Sequence, residues 1–107
     1  MIVQVDRLAE GLMFPEGPAI GPDGVLYVTE IAGQRISTIT EDGTVSTFSN
    51  TGGGPNGAAF NPQGELVVAN NGGRWPTDVP STSQASEPEY GNGSIQTINA
   101  EGDVYSN

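Results

Sequence analysis

Apolar and polar residues alternate along the chain in short runs, and turn residues separate these runs. The alternation and the many β-branched residues are typical of strands, whereas no window keeps a helical period. Gly, Pro, Asp and Asn cluster between the runs, as in GPDG and EDG, where tight turns are expected. The pattern predicts an all-β chain with strands at residues 18–21, 25–30, 35–40, 44–48, 58–61, 65–70, 94–99 and 103–105.

The order of strands and turns occurs twice. The sequence EGPAIGPDGVLYVTE, which begins at Glu16, aligns without a gap with NGAAFNPQGELVVAN, which begins at Asn56. Further along, Ile36 aligns with Ile95. A repeat of roughly 40 residues is typical of propellers and solenoids, and four antiparallel strands per repeat indicate a β-propeller blade.

The repeat divides the single partial propeller domain into two blades. Blade one spans residues 14–50 and blade two spans residues 51–107, whereas residues 2–9 are expected to form the ring-closing outer strand of another blade. Residues 72–91 are inserted between the second and third strands of blade two and are rich in Pro, Ser and Thr. A long loop of this kind is usually a lid, a binding loop or a disordered segment.

Charge and composition exclude several classes of function. The net charge is −10 and the chain has no Lys, so we expect no binding to nucleic acid or to an anionic membrane. The chain also has no Cys and no His, which excludes thiolate and imidazole chemistry. Any bound metal must accept oxygen ligands, which favours calcium or magnesium over zinc. No apolar run resembles a signal peptide or a membrane span, so a soluble, cytoplasmic protein is expected.

Glu16 and Asn56 hold the same place in consecutive repeats, just before the first strand of each blade. In a propeller this place faces the central axis, so equivalent side chains of adjacent blades converge there. A carboxylate and an amide oxygen at one point are ligands that suit Ca²⁺, and Gly17 and Gly57 are expected to allow a tight turn behind them. The alternative remains that both are ordinary turn residues, a solvated Glu and an Asn in the left-handed conformation.

The connection between the second and third strands of each blade is expected on the same face as Glu16. In blade two this places Asn70 and Asn71 at the mouth of the site, where they are candidate substrate-binding residues. Residues 72–91 are then a candidate lid, with Trp75 and Tyr90 as apolar walls. Alternatively, Trp75 packs against the surface of the blade.

The two phrases FPEGPAIGPDGVLYVTE and GGPNGAAFNPQGELVVAN resemble the regucalcin/gluconolactonase/LRE-like family. Members are six-bladed β-propellers that hold a divalent cation on the axis and hydrolyse lactones or, in some cases, organophosphate esters. The resemblance implies that Glu16 is a metal ligand and that Asn56 binds metal, substrate or a metal-bound water. It implies Ca²⁺ first, with Mg²⁺, Mn²⁺ or Zn²⁺ as alternatives. The remaining ligands of the family would lie beyond Asn107, and the substrate-binding Arg of many members is Gly54 here.

Two classes of function follow. The first is the N-terminal part of a divalent-metal-dependent hydrolase that acts on small-molecule substrates, namely lactones or related esters. The sequence does not identify the catalytic residues of this hydrolase. The alternative is a non-catalytic calcium- or ligand-binding propeller that acts as an interaction module of the NHL type. We expect two blades alone to be marginally stable and inactive as a monomer, unless three copies close a six-bladed ring as a homotrimer.

Overall fold

The computed structural model describes residues 2–73 and 93–106. These residues form eight strands: β1 (Pro15–Ile20), β2 (Leu26–Glu30), β3 (Arg35–Ile39), β4 (Val45–Asn50), β5 (Pro55–Phe60), β6 (Leu66–Asn70), β7 (Ser94–Ile98) and β8 (Val104–Ser106). Each of the predicted strands is present, and most boundaries differ by only one or two residues.

The strands form two antiparallel sheets in which neighbours in sequence are neighbours in space. One sheet has the order β1-β2-β3-β4 and the other has the order β5-β6-β7-β8. Both are therefore four-stranded meanders, the arrangement of a propeller blade. The prediction of an all-β chain built from two such units is confirmed.

The first strand of each sheet begins earlier than predicted. In β1, Pro15 pairs with Glu30 and Glu16 pairs with Thr29, and the register then shifts before Ala19. A similar shift follows Pro55 in β5. A bulge takes up one extra residue and lets pairing continue on its other side. The prediction that Glu16 and Asn56 precede their strands is therefore wrong, since each is the second residue of its strand.

The hydrophobic core lies between the two sheets. The ring of Tyr27 makes edge-to-face contacts with Phe48 of its own sheet and Phe60 of the other, at centroid distances of 5.0 and 4.9 Å. Ile36 of blade one and three fully buried apolar residues of blade two complete the centre of this core, namely Leu66, Val68 and Ile98. Because both blades contribute to one core, each blade stabilises the other.

Residues 2–9 form no strand in this structure. Ile2, Val3 and Val5 are largely exposed, with relative exposures of 98%, 73% and 86%. The carbonyl oxygen of Leu8 lies against Gly43, where a Cβ atom would come within 2.4 Å of it. The role of residues 2–9 as an outer strand of another blade stays a prediction. The described residues include no helix that could cross a membrane.

Candidate cation site on the first strands of the two blades

The first strands of the two blades, β1 and β5, lie directly side by side. A Cβ atom built on Gly17 would lie 2.6 Å from the backbone oxygen of Asn56 and 3.1 Å from the Cα atom of Gly57. Glu16 precedes Gly17, and the side chains of Glu16 and Asn56 are exposed. The structure thus brings the two predicted metal-binding residues onto adjacent strands, with no side chain between Gly17 and the Asn56 backbone.

The glycines that follow the two candidate ligands have different roles. Gly17 has a φ of +46°, and the close approach of β5 excludes a side chain at this position. Gly57 has no left-handed φ, and a Cβ atom there would meet no atom within 4 Å. Both glycines lie inside strands, so the expected tight turn behind each ligand is not present, and only Gly17, at the bulge of β1, has a left-handed φ.

Thr29 connects the two strands. It is fully buried, and it is the β2 residue paired with Glu16 across the sheet. Its hydroxyl donates a hydrogen bond to the backbone oxygen of Asn56, with an Oγ1 to O distance of 2.8 Å. One side chain therefore links the backbone segments that carry both candidate ligands.

A buried carboxylate fixes the start of β1. Glu30 has no exposed surface, and its Oε1 accepts a hydrogen bond from the backbone N–H of Met13 at 2.8 Å. Its Oε2 accepts from Nε of Arg35 at 2.6 Å and from the hydroxyl of Ser37. In addition, the N–H of Ile31 donates to the oxygen of Phe14 at 3.0 Å. These contacts hold the segment that leads into Glu16.

Asn70 has the equivalent structural role in blade two, where it holds the loop before β5. It is buried, and its Oδ1 accepts hydrogen bonds from the backbone N–H groups of Gly54 and Gly72, each at 2.9 Å. Its Nδ2 donates to the oxygen of Gly52 at 2.9 Å and to Oε1 of Gln96 at 3.0 Å. The side-chain amide is thus fully engaged inside the blade. Its proposed contact with substrate stays a prediction.

Glu30 and Asn70 occupy equivalent positions in the repeat, as do their partners on the third strands. Ser37 pairs with Val28 and Gln96 pairs with Val68, and Val28 and Val68 are themselves aligned. Each blade therefore ends its second strand with a buried polar side chain that holds the loop before its first strand. Sequence reasoning missed this role, although the alignment of Glu30 with Asn70 could have indicated that the two residues share a function in the blade.

The other predicted site residues are only partly described. Asn71 is partly buried, and its Oδ1 accepts a hydrogen bond from the N–H of Gly73 at 2.9 Å. Trp75 and Tyr90, with most of the candidate lid, lie outside the described residues. Their proposed roles stay predictions.

The donor set of the pair fits a hard cation only in part. Glu16 offers a carboxylate and Asn56 an amide oxygen, both of the kind that Ca²⁺ takes. In residues 2–73 and 93–106, no group of three or more acidic side chains could hold a metal ion. Because Ca²⁺ takes 6–8 oxygen ligands, a cation at this pair needs donors from other segments or from water.

Comparisons with known proteins support the fold. No protein-family model matches the sequence, and no curated protein matches it. Among solved structures, the chain is similar to a gluconolactonase from Xanthomonas campestris, with 24% identity and a TM-score of 0.67, covering 92% of this chain and 27% of that one. It is also similar to the PQQ-bound aldose sugar dehydrogenase from Streptomyces coelicolor, with 19% identity and a TM-score of 0.63, covering 95% of this chain and 32% of that one.

These likenesses establish the fold as a set of β-propeller blades. The chain spans less than a third of the length of either structure. Both solved structures are β-propeller proteins, the class of fold that the sequence resemblance implied.

Proposed function

We propose that these two blades belong to a lactonase-like propeller in which Glu16 and Asn56 help to bind a divalent cation. Ca²⁺ is the first choice because both donors are hard oxygen atoms. The observation that carries the proposal is the placement of two exposed, equivalent residues on adjacent first strands. The likeness to a gluconolactonase supports a lactone or a related ester as the substrate.

The chain supplies distinct parts of such a site. A bound cation would polarise the carbonyl group of the substrate. Glu16 would contribute the negative charge that balances the cation, and Asn56 would contribute a neutral oxygen donor. Glu30 and Asn70 would hold the segments from which these ligands project. The general acid or base is not among the residues that we assign.

Several further predictions rest on the sequence alone. These are a cytoplasmic location, the lack of nucleic-acid and membrane partners, and closure of the ring as a homotrimer if the two blades act alone. Mg²⁺, Mn²⁺ and Zn²⁺ remain alternative cations.

Titration calorimetry with CaCl₂ tests the cation site in the complete ring that contains these blades. We expect Glu16→Gln to weaken Ca²⁺ binding on the order of tenfold or more, because affinity depends on the number of charged ligands. Glu41→Gln is a matched control, since Glu41 is exposed in the β3–β4 turn. Equal affinity in wild type and Glu16→Gln would remove Glu16 from the site.

A pH-stat assay of gluconolactone hydrolysis separates the two classes of function. Hydrolysis that requires added Ca²⁺ and is reduced by Glu16→Gln supports the hydrolase. Ca²⁺ binding at the Glu16 site without hydrolysis of gluconolactone or simple esters would favour the non-catalytic propeller. Absence of Ca²⁺ binding would reject both forms of the cation site.

A further inference from the structure

The hydroxyl of Thr29 makes a contact that the folding of a single blade does not require. Thr29 lies in β2 of blade one, and its Oγ1–H donates to a backbone oxygen of blade two, that of Asn56. The residue is fully buried, so its side chain is held in place by packing. Its backbone faces Glu16 in the β1–β2 ladder.

We infer that Thr29 is a positioning residue that sets the placement of Asn56 relative to Glu16 and thereby tunes cation affinity. This inference rests on the proposed function for its effect on metal binding. The geometric part, that Thr29 ties the Asn56 backbone to the strand next to Glu16, can be measured without any metal.

The physical reason lies in the two adjacent backbones. β1 and β5 belong to different sheets, so no ladder of backbone hydrogen bonds joins them. The close approach at Gly17 sets how near the strands can come, and the Thr29 hydrogen bond opposes their separation. A cation that uses one ligand from each strand is sensitive to this spacing, because groups that orient metal ligands typically change affinity by about 10–100-fold.

The chain offers a matched control for this bond. The hydroxyl of Ser49, in β4 of blade one, donates to the backbone oxygen of Gly102 in blade two at 2.7 Å. Like Thr29, Ser49 is buried and bridges the two blades. Ser49→Ala therefore removes a hydroxyl-to-carbonyl bond of the same kind, one that is made to the β7–β8 turn and not to β5.

The experiment compares Thr29→Val, Thr29→Ser and Ser49→Ala in the complete ring. Each variant is titrated with CaCl₂, and its midpoint of denaturant unfolding is measured. We expect Thr29→Val to weaken Ca²⁺ binding by about tenfold, and Thr29→Ser, which keeps the hydroxyl, to restore most of it. Ser49→Ala should lower stability without changing Ca²⁺ affinity. Equal affinity losses in Thr29→Val and Ser49→Ala, or wild-type affinity in Thr29→Val, would overturn the inference.

A second readout separates this inference from the proposed function. The ¹³C chemical shift of the Asn56 carbonyl, measured without metal, should change in Thr29→Val, stay near wild type in Thr29→Ser and be unaffected in Ser49→Ala. If the wild type binds no Ca²⁺ but these shifts appear, the cation site fails while the positioning of Asn56 by Thr29 stands. An Asn56 carbonyl that does not respond to Thr29→Val rejects the positioning role.

Discussion

The guanidinium Nε of Arg35 lies 2.6 Å from Oε2 of Glu30, and the Glu30 side chain has no exposed surface. Arg35 is the neighbour of Glu30 across the β2–β3 ladder and also donates to the hydroxyl of Thr47 at 2.8 Å. The pair is therefore a partly buried ion pair inside blade one. Arg35 thereby compensates the buried carboxylate of Glu30, which ends β2 and holds the segment before β1.

Removal of Arg35 should destabilise blade one strongly. We expect Arg35→Met to lower the free energy of unfolding by about 3 kcal/mol, because it leaves the buried Glu30 carboxylate without its cation. Urea unfolding measures the change. Arg7→Met is the control, since the Arg7–Glu10 pair at 3.0 Å is largely exposed and should contribute little. Equal effects of the two substitutions would show that the Glu30 charge is compensated by other means.

Asn70 should be needed for the stability of blade two. In Asn70→Asp the carboxylate cannot donate to Gly52 or Gln96, so two acceptors would face a negative charge, and we expect a loss of about 3 kcal/mol. Asn99→Asp is a matched control, because the hydrogen bonds of the Asn99 side chain run from the N–H groups of Glu101 and Asp103 to its Oδ1, at 3.0 and 2.9 Å, and a carboxylate can accept both. If Asn70→Asp keeps wild-type stability but raises KM, the predicted substrate contact is favoured instead.

A methyl group at Gly17 should force β1 and β5 apart. Gly17→Ala would place Cβ 2.6 Å from the Asn56 oxygen at a left-handed φ, and we expect a loss of about 2 kcal/mol in unfolding free energy. Gly57→Ala, at the aligned position, meets no atom within 4 Å and should be tolerated. Denaturant unfolding of the two variants makes the comparison. Similar midpoints for both would contradict the close approach at Gly17.

Tyr27 should make the protein less stable in alkali. Burial, together with the charge and hydrogen bond of Asp23, raises the pKa of the Tyr27 phenol above its usual value of about 10. The unfolded chain then loses the proton first, so the contribution of Tyr27 to stability is constant below about pH 10 and falls as the pH rises above it.

Urea unfolding from pH 8 to pH 11 tests this dependence. The background should be Tyr105→Phe, because the hydrogen bond to Glu65 also raises the pKa of Tyr105. We expect Tyr27→Phe to flatten the alkaline decline. An unchanged decline in Tyr27→Phe would assign the effect to other groups.

The free faces of the two blades should drive association. Ile36 is fully buried between the blades, whereas its repeat equivalent Ile95 is 57% exposed. Ile20, equivalent to Phe60 in the core, is 66% exposed. We therefore expect the two blades alone to associate, with a ring of three copies as the closed form.

Sedimentation equilibrium with and without Ca²⁺ measures this association. Ile20→Asp and Ile95→Asp should each weaken it, because each places a charge on a face that association would bury. A stable monomer that unfolds cooperatively would contradict both the marginal stability and the trimer.

Periodicity, turn chemistry and the repeat were enough to predict the strands, their order and the equivalence of the two blades. Strand and turn patterns are local, and a repeat places each residue of one blade on its counterpart in the other. The pairing of Glu16 with Asn56 followed from that register alone. The alignment could also have identified Glu30 with Asn70, but it does not say that both are buried.

Which polar residues face solvent and which hold the blades depends on the packing of the two sheets. The approach of β5 to Gly17, the bulge that draws Glu16 into β1 and the bond from Thr29 to Asn56 depend on how two sheets pack. Packing distances between sheets arise from side chains far apart in sequence, so neither periodicity nor turn chemistry encodes them. The same repeat position therefore carries a left-handed Gly17 in one blade and an ordinary Gly57 in the other, and a Cβ atom would meet a neighbouring strand at Gly17 but not at Gly57.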